Sequence, residues 1–373
     1  MTKPDLRSLL DGDLIEFCAR HQQPKFRATQ ILDWLYQKRA ARYDEMTNLP
    51  RAFRESLALE FDLGDLKLER AQGAKDTTQK FLLQLRDGQR IETVLIPASV
   101  GLYGDRSDRR TLCVSTQAGC AYGCKFCASG LDGFRRNLTA DEIVGQLLMV
   151  ERETGRTVNN IVFMGMGEPL ANYDNVLRAI RIFNASWGVG IGARKITVST
   201  SGLAPRIRKL AAEDLQVRLA ISLHGARDEI RDRIMPINRR YPVAELIAAC
   251  EHYRKVCGRL ITFEYILLKD VNDDVCEAAP LAALAKRVHA KINLIPFNEV
   301  EETGFKRPSD DDCQRFRGAL VRWGVTATLR IEKGRDIDAA CGQLRMRSEP
   351  IAKRRSGPAE SAPRPITDAA VRR

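Results

Sequence analysis

The stretch that decides the fold is TLCVSTQAGCAYGCKFCASG, residues 111–130. It opens with a short apolar, β-branched run that is typical of a buried strand. The strand leads into three cysteines, Cys120, Cys124 and Cys127, spaced C-x3-C-x2-C, with no fourth cysteine close behind. Most cysteine clusters that hold a metal have four ligands. Three ligands indicate a metal centre that keeps one position open.

The same unit of a strand followed by a helix recurs along the chain. Six apolar runs have strand character: TLCVST, NNIVFMG, RKITVSTSG, QVRLAISLHG, RLITFEYILLKD and AKINLIPFN. Helical periodicity predicts helices at 140–152, 174–185, 204–213, 242–256, 274–288 and 310–323. Thr139 and Glu142 form a capping box for the first of these helices. Strand–helix repeats of this kind imply parallel strands, in either a doubly wound sheet or a partial barrel.

Glycine and polar residues gather where each predicted strand ends. The loops concerned are the cysteine stretch, GMGEP (165–169), STSG (199–202), SLHG (222–225), KDVN (269–272) and PFN (296–298). Any one of them alone is more often a simple turn. Enzymes with parallel sheets build their sites at the carboxyl ends of the strands, so six such loops together predict a site.

The composition is that of a globular protein with a basic surface. The chain has 373 residues, which favours two domains, and 60 Lys+Arg against 48 Asp+Glu give a net charge of +12. That charge indicates either a solvated basic surface or a polyanionic partner such as nucleic acid. No membrane span or signal peptide is evident, so we expect a cytoplasmic protein with no membrane contact. In that compartment the clustered cysteines are metal ligands or catalytic groups rather than disulfides.

The two ends of the chain differ from its middle. The first part combines amphipathic helical patterns, LRSLLDGDLIEFCARH and RATQILDWLYQKRAARY, with a predicted β-hairpin around Asp87-Gly88. We therefore expect an N-terminal helical accessory domain with a hairpin over 1–97 and a core over 98–343. The remainder, 344–373, is rich in basic residues and proline, which predicts a disordered basic tail.

Three clustered thiolates suit an iron–sulfur cluster with one open iron. A cubane cluster has four irons, each normally bound to one cysteine. The open iron can chelate the amino and carboxylate groups of S-adenosylmethionine, and one electron then yields a 5′-deoxyadenosyl radical. The alternative is a structural zinc site in which Cys113 or a distant residue is the fourth ligand. Zinc sites usually contain two closely spaced pairs of ligands, and this chain has only one such pair.

Five segments resemble the RlmN/Cfr family of radical S-adenosylmethionine RNA adenosine methyltransferases. They are TLCVSTQAGCAYGCKFCASG, VFMGMGEPLANYDNV, AISLHGARDEIRDRIMPINRRY, KINLIPFNE and GRDIDAACGQL. The N-terminal helical unit is also similar to that of the RlmN branch, where it would bind RNA. The resemblance implies an α/β fold, a partial (β/α)6 TIM-type barrel left open at the side for a bulky RNA.

The family chemistry methylates an adenine carbon, C2 in the RlmN branch and C8 in the Cfr branch. One S-adenosylmethionine methylates a cysteine, and a second supplies the radical that lets this methyl group add to the ring. The resemblance implies that Cys341 carries the methyl group and that Glu92 accepts the ring proton. Cys113 would then release the product and leave a transient Cys113–Cys341 disulfide. Without the resemblance, a lone cysteine is more often packing and a strand glutamate is usually solvated.

The resemblance also implies the cofactor ligands. Cys120, Cys124 and Cys127 would bind the [4Fe–4S] cluster. Residues that would bind S-adenosyl-L-methionine are Gly167, Glu168, Ser199, Ser222, Leu223, His224 and Asn298. The expected partners are 23S rRNA, tRNA that is methylated next to the anticodon, and an electron donor such as flavodoxin or ferredoxin. We expect the enzyme to be a monomer.

Two alternatives stay open at this point, and one departure from the family pattern is evident. The chain could have the C8 chemistry of the Cfr branch, or it could be a non-catalytic RNA-binding protein that contains a metal. The link between Pro97 and Thr111 is longer than usual in the family, which leaves open how Glu92 reaches the site. The cysteines outside every motif are interpreted as packing residues: Cys18, Cys250, Cys257, Cys276 and Cys313.

Overall fold

A computed structural model describes residues 3–64, 66–98, 107–330, 333–340 and 342–345. The predicted methyl carrier Cys341 and nearly all of the predicted tail therefore lie outside the described residues. The strands are β1 (Lys67–Gly73), β2 (Gln79–Gln84), β3 (Arg90–Pro97), β4 (Arg110–Cys113), β5 (Gln117–Gly119), β6 (Phe134–Asn137), β7 (Asn160–Phe163), β8 (Ile196–Thr200), β9 (Arg218–Ser222), β10 (Ile261–Leu267), β11 (Lys291–Pro296) and β12 (Ala327–Leu329).

The helices of the core follow the predicted positions closely. In chain order the helices are α1 (Asp11–Arg20), α2 (Phe26–Tyr36), α3 (Arg51–Glu60), α4 (Ala128–Leu131), α5 (Ala140–Thr154), α6 (Tyr173–Asn184), α7 (Ala204–Ala211), α8 (Asp228–Ile234), α9 (Val243–Cys257), α10 (Ala278–Arg287) and α11 (Asp310–Arg322). The capping box of α5 is confirmed, since the backbone N–H of Thr139 donates to Glu142 Oε2 at 3.0 Å.

One ten-stranded sheet organises the described residues, in the order β1-β2-β3-β4-β7-β8-β9-β10-β11-β12. Pairs from β1 to β4 are antiparallel, and pairs from β4 to β12 are parallel. The strand order is linear within the part of the chain that the structure describes, so the barrel is open. The predicted partial α/β barrel is confirmed, with β12 as a further parallel strand that its length of three residues concealed.

The barrel core is apolar because helices cover its strands. Central strands such as β8 and β10 are buried along almost their whole length, as expected for parallel strands packed beneath helices. Helix α6 contributes Val176, Ile180 and Phe183 to this core. Among the predicted packing cysteines, Cys313 is fully buried, whereas Cys276 is exposed and does not pack as predicted.

The N-terminal unit consists of α1, α2 and α3, and its buried side chains include Phe17, Phe53 and Leu57. Helix α2 ends earlier than the pattern predicts, and Arg39 beyond it has a left-handed backbone with φ 58°. Its Nε lies 2.8 Å from Glu151 Oε2 on α5, which ties the unit to the barrel.

The predicted hairpin is confirmed, and it extends the barrel sheet. Leu83 pairs with Ile91 across the turn, and Pro97 pairs with Arg110 of the first core strand. The predicted domain boundary at residue 97 thus lies within a continuous sheet, and the division into domains remains a prediction. No helix in the described ranges has both the length and the apolarity to cross a membrane.

Candidate active site

The cysteine loop is held in a frame of short elements beyond the carboxyl end of β4. It runs from β5 to α4, and β6 pairs with β5 behind it, with Cys120 N–H donating to Gly133 O at 3.0 Å. Lys125 N–H donates to Ile234 O at 2.9 Å, which fixes the middle of the loop against α8. Backbone hydrogen bonds therefore hold the loop at both its start and its centre.

All three predicted cluster cysteines line one cavity of about 150 Å³. Loops after β7, β8 and β9 supply much of the remaining wall, as expected for the carboxyl ends of parallel strands. The predicted cofactor residues that line this cavity, here called the cofactor cavity, are Gly167, Glu168, Ser199, Ser222 and His224. The structure thus gathers predicted site residues from four separate segments of the chain.

The GMGEP loop needs its glycines because its backbone approaches the neighbouring segment closely. Gly167 has φ 97°, a left-handed conformation that favours glycine, and a Cβ there would lie 2.5 Å from Gln117 Cβ. A Cβ on Gly165 would meet Ser115 Oγ at 2.7 Å. Both glycines allow the loop to place Glu168 at the cavity.

Glu168 is almost fully buried, and backbone groups bind both of its carboxylate oxygens. Oε1 accepts from Leu170 N–H at 2.9 Å, and Oε2 accepts from Ser201 N–H at 2.6 Å. Burial raises the pKa of Glu168, while these hydrogen bonds oppose the rise. The carboxyl group is oriented in advance and is suited to pair with an ammonium group.

Ser199, Ser222 and His224 form another part of the wall. The two hydroxyls come from adjacent strands, and their oxygens lie 3.5 Å apart. His224 Nδ1 accepts the backbone N–H of Ile266 at 3.0 Å, so its proton lies on Nε2. Burial lowers the pKa of His224 to about 3, and the charge of Arg231 adds to the effect. The imidazole is therefore neutral at physiological pH and can donate a hydrogen bond.

A fully buried arginine on α8, Arg231, holds these loops together. It donates to Leu223 O at 3.0 Å, to Ser201 O at 2.5 Å and to Asn238 Oδ1 at 2.8 Å. Burial raises the pKa of the Cys124 thiol, and the charge of Arg231 opposes that rise. Local sequence patterns do not single out Arg231, because two of its partners are backbone carbonyls, which carry no residue signature.

Two predicted cofactor residues do not line the cofactor cavity. Leu223 is fully buried, and its backbone N–H and C=O are bonded to Glu264 O and to Arg231. Asn298 lines a second, neighbouring cavity, and its buried Oδ1 has no hydrogen-bond partner among the described residues. Conversely, Glu264 and Arg330 line the cofactor cavity although no sequence motif singled them out.

The second cavity contains Cys113, the predicted product-releasing cysteine. It adjoins the cofactor cavity, and three residues line both: Met164, Ile295 and Arg330. Ala340 lines the second cavity and Gly342 lines the cofactor cavity. The described neighbours on either side of the predicted methyl carrier Cys341 therefore line these two cavities.

Glu92 lies on the same face of the sheet as Cys113. Val94 is paired with Cys113, and Glu92 is two positions before Val94 on the same strand. Thr93 Oγ1 donates to Cys113 O at 2.7 Å, which reinforces this pairing. The long link after Pro97 therefore leaves the register of β3 and β4 intact.

The Glu92 carboxyl group is buried and held from two sides. Lys80 Nζ lies 3.0 Å from its Oε1, and Arg345 N–H donates to its Oε2 at 2.8 Å. Burial raises the pKa of Glu92, and the charge of Lys80 opposes the rise. A strand glutamate that is usually solvated is here enclosed by the hairpin and the last described residues of the chain.

The fold and the three-cysteine cavity define the class of protein as a radical S-adenosylmethionine enzyme. The model of the Radical SAM superfamily matches residues 114–279, which contain the cysteine loop and the GMGEP loop. The model of the ribosomal RNA large subunit methyltransferase N-terminal domain matches residues 5–62, which contain α1 to α3.

Relatives that match over most of their length narrow the class to one family. A probable dual-specificity RNA methyltransferase RlmN of Akkermansia muciniphila is 49% identical over 93% of this chain and 96% of its own. The protein of the same description from Staphylococcus epidermidis is 46% identical over 94% of this chain and 95% of its own. A radical SAM methyltransferase from Sphaerobacter thermophilus superposes with a TM-score of 0.86 at 46% identity, covering 92% of this chain and all of that one. The chain belongs to the RlmN family of radical SAM methyltransferases.

The residues present fit the cofactors of this class, a [4Fe–4S] cluster and S-adenosylmethionine. Burial raises the pKa of Cys120 to about 12 and that of Cys124 well above its ordinary value, so both thiols need a bound metal in order to ionise. Cys120, Cys124 and Cys127 all line the cofactor cavity, so three thiols are available to one cluster. In a cubane each thiolate binds a different iron, so the three sulfurs need not converge on one point.

Proposed function

We propose that this enzyme methylates C2 of adenosine in 23S rRNA and in tRNA next to the anticodon, in the cytoplasm and as a monomer. The observation that carries the proposal is the junction of two cavities, one lined by the cluster cysteines and the other by Cys113. Relatives described as dual-specificity RNA methyltransferases, and the match of the N-terminal domain model, support RNA as the substrate. The same relatives favour the RlmN branch over the Cfr branch.

Each proposed ligand has its own part of the cofactor cavity. Cys120, Cys124 and Cys127 bind the cluster, and the carboxylate of Glu168 takes the methionine ammonium group. When bound and reduced by a donor such as flavodoxin or ferredoxin, the cofactors supply a radical that removes hydrogen from an unactivated methyl group.

Other residues of the loops hold the rest of S-adenosylmethionine. Ser199, Ser222 and His224 offer it two hydroxyl groups and one imidazole N–H. Gly167, next to Glu168, would contact the methionine amino group through its backbone, and Leu223 would act through its backbone between these loops.

The chain's own residues then complete the transfer. Cys341 carries the methyl carbon, which becomes bonded to both the Cys341 sulfur and adenine C2. The ring then loses one electron, which would return to the oxidised cluster, and one proton, which Glu92 accepts from C2. The Cys113 thiolate attacks the Cys341 sulfur, and the carbon–sulfur bond breaks with its electron pair going to carbon, which takes up a proton. The resulting Cys113–Cys341 disulfide is reduced by an external thiol before the next turnover.

Asn298 is proposed to contact S-adenosylmethionine from the second cavity. Its buried Oδ1 has no protein partner among the described residues, and leaving a buried acceptor unsatisfied costs about 1–3 kcal/mol. A donor on S-adenosylmethionine would satisfy that oxygen. This position supports the predicted cofactor contact, although Asn298 is not part of the cofactor-cavity wall.

The test is the methylated nucleoside that the enzyme makes in cells. RNA from a strain that lacks the enzyme is compared with RNA after complementation by the parent protein or by Cys124→Ala, in separate 23S rRNA and tRNA fractions. Chromatography with mass spectrometry and authentic standards should find 2-methyladenosine in both fractions with the parent alone. Finding 8-methyladenosine instead would support the Cfr-type chemistry, and finding neither would support a non-catalytic RNA-binding protein.

A further inference from the structure

The proposed proton acceptor Glu92 shares a buried ion pair with a lysine from the adjacent strand. Lys80 Nζ on β2 lies 3.0 Å from Glu92 Oε1, and the two side chains are only 8% and 7% exposed. The register pairs Leu82 with Glu92 and Lys80 with Val94, so Lys80 and Glu92 are diagonal neighbours on one face. The hairpin geometry itself brings the ammonium to the carboxylate.

Stability alone gives little reason for this pair. Removing two charges from water is costly, and well-packed apolar residues in place of a buried ion pair are often as stable or more stable. Yet a carboxyl group buried without a cation would hold its proton and could not accept another. A lysine at this position is therefore explained by the need for an ionised Glu92.

Lys80 also contacts the C-terminal segment, defined here as the described residues 333–340 and 342–345. Its Nζ lies 3.2 Å from Asp338 O, and Arg345 N–H of the same segment donates to Glu92 Oε2 at 2.8 Å. Each carboxylate oxygen of Glu92 therefore has one donor, the first from the hairpin and the second from the segment. The two donors fix the orientation of the carboxylate.

Lys80 is the cation that acts on Glu92 among the described charged groups that face it. Burial raises the pKa of Glu92, the Lys80 charge opposes this, and the Asp338 carboxylate adds to the rise. The Arg345 guanidinium is bonded to both oxygens of Glu302, at 2.6 and 2.7 Å. From the loop after β7, Met166 contributes an uncharged sulfur 3.4 Å from Glu92 N.

We propose that Lys80 is a positioning residue, which keeps Glu92 ionised and oriented for the proton transfer and anchors the C-terminal segment beside it. The inference rests on the proposed function, in which Glu92 accepts the C2 proton. In that step the proton moves from carbon to the Glu92 oxygen, and Lys80 itself transfers no proton.

The experiment follows the resolution of the covalent protein–RNA adduct at a series of pH values. The full-length enzyme, reconstituted with iron and sulfide, reacts with S-adenosylmethionine, reductant and 23S rRNA from cells that lack the enzyme. The variants are Lys80→Met, Lys80→Arg and Glu92→Gln. Arg90→Met is the matched control, because it removes another cation of the same hairpin, one that pairs with Glu69 at 2.7 Å. Lys80→Gln replaces the Met variant should that protein be insoluble.

The Lys80→Met enzyme should acquire its methyl group normally, as mass spectrometry of its peptides would show. It should accumulate the protein–RNA adduct at pH values where the parent still resolves it. The acid limb is the pH range in which the resolution rate falls as Glu92 becomes protonated. Because the charge of Lys80 favours the ionised carboxyl group, loss of that charge should move the acid limb upward by about 1–3 pH units. At pH values below the parent's acid limb, this shift slows resolution by about 10-fold or more, one factor of ten for each pH unit. Lys80→Arg should keep the parent's acid limb, and Arg90→Met should resemble the parent throughout.

Two results separate the failure of this inference from the failure of the proposed function. If Glu92→Gln accumulates adduct while Lys80→Met shows the parent's pH profile, Lys80 has no positioning role and Glu92 keeps its assignment. If Glu92→Gln resolves its adduct at the parent's rate, the proton acceptor is another residue and both assignments fall.

Discussion

The cofactor cavity and the Glu92 site share one sheet but are assembled in different ways. The cofactor cavity is built largely from loops that each follow a parallel strand, and each loop is a short continuous motif. The Glu92 site instead joins the antiparallel hairpin to the C-terminal segment, and Glu92 and Arg345 are 253 positions apart. The carboxyl ends of parallel strands lie at one edge of the sheet whatever sequence motifs follow them. The Glu92 site instead depends on individual contacts between residues that are distant in the sequence.

The largest effect should come from the cofactor cavity. Cys124→Ala removes a proposed cluster ligand, so it should abolish both the visible absorption of the cluster and all turnover, while the chain remains folded. Anaerobic purification, iron analysis and circular dichroism provide the measurement. Cys313→Ala is the control, because that cysteine is buried on α11, away from the cavity, and should keep the colour. A colourless but fully active Cys124→Ala enzyme would refute the radical mechanism.

The next effect concerns the arginine that holds the cavity loops together. Arg231→Met leaves the buried oxygens of Ser201, Leu223 and Asn238 without this donor. Leu223 O keeps the N–H of Gly225 at 2.7 Å, so two oxygens are left unsatisfied. The free energy of unfolding should fall by about 2 kcal/mol or more, since each unsatisfied buried group costs about 1–3 kcal/mol. Urea denaturation of the apoprotein gives the value. A loss below about 1 kcal/mol, the size of one ordinary hydrogen bond, would show that Arg231 does not hold the loops.

A smaller effect should distinguish binding from cluster assembly within the cofactor cavity. Glu168→Gln removes the charge that is proposed to pair with the methionine ammonium group and keeps the size of the side chain. Binding of S-adenosylmethionine should weaken by about 10- to 100-fold, in line with about 1.5–3 kcal/mol for a charged hydrogen bond. Anaerobic calorimetry measures the affinity, with iron content as the internal control. Equal affinity in the variant and the parent would remove Glu168 from the cofactor site.

The contrast between the two regions also decides what the sequence could predict. The parallel strands β4 and β7 to β11, the six long helices of the core, the hairpin and the cavity cysteines all follow from local patterns of residues. The short elements β5, β6, α4 and α8 are not predicted by these patterns. The roles of Arg231 and Lys80 do not follow from them either, because their partners are backbone carbonyls or residues distant in sequence. Helix α2 ends before its pattern does, and the left-handed Arg39 beyond it reaches Glu151, a contact that no local pattern indicates.

The smallest effect should come from the exposed edge of the C-terminal segment. Arg345→Met removes the partly exposed ion pair with Glu302 but keeps the backbone N–H that donates to Glu92. Ion pairs of this kind contribute about 0–1 kcal/mol to the free energy of unfolding, so the midpoint of thermal unfolding should fall by less than about 4 °C. Differential scanning calorimetry measures it. A larger fall would mean that side-chain pairing, rather than backbone contacts, holds this segment to the hairpin.

The central claim is that Cys341 and Cys113 act in sequence, the first as methyl carrier and the second as the thiol that releases the product. Cys113→Ala and Cys341→Ala are expressed in cells with native RNA and compared on denaturing gels, with and without nuclease. Cys113→Ala should show a shifted, nuclease-sensitive band because its adduct forms and cannot be released, and Cys341→Ala should show none. Adducts in Cys341→Ala alone would reverse the two roles, and adducts in neither variant would contradict the methyl-cysteine mechanism.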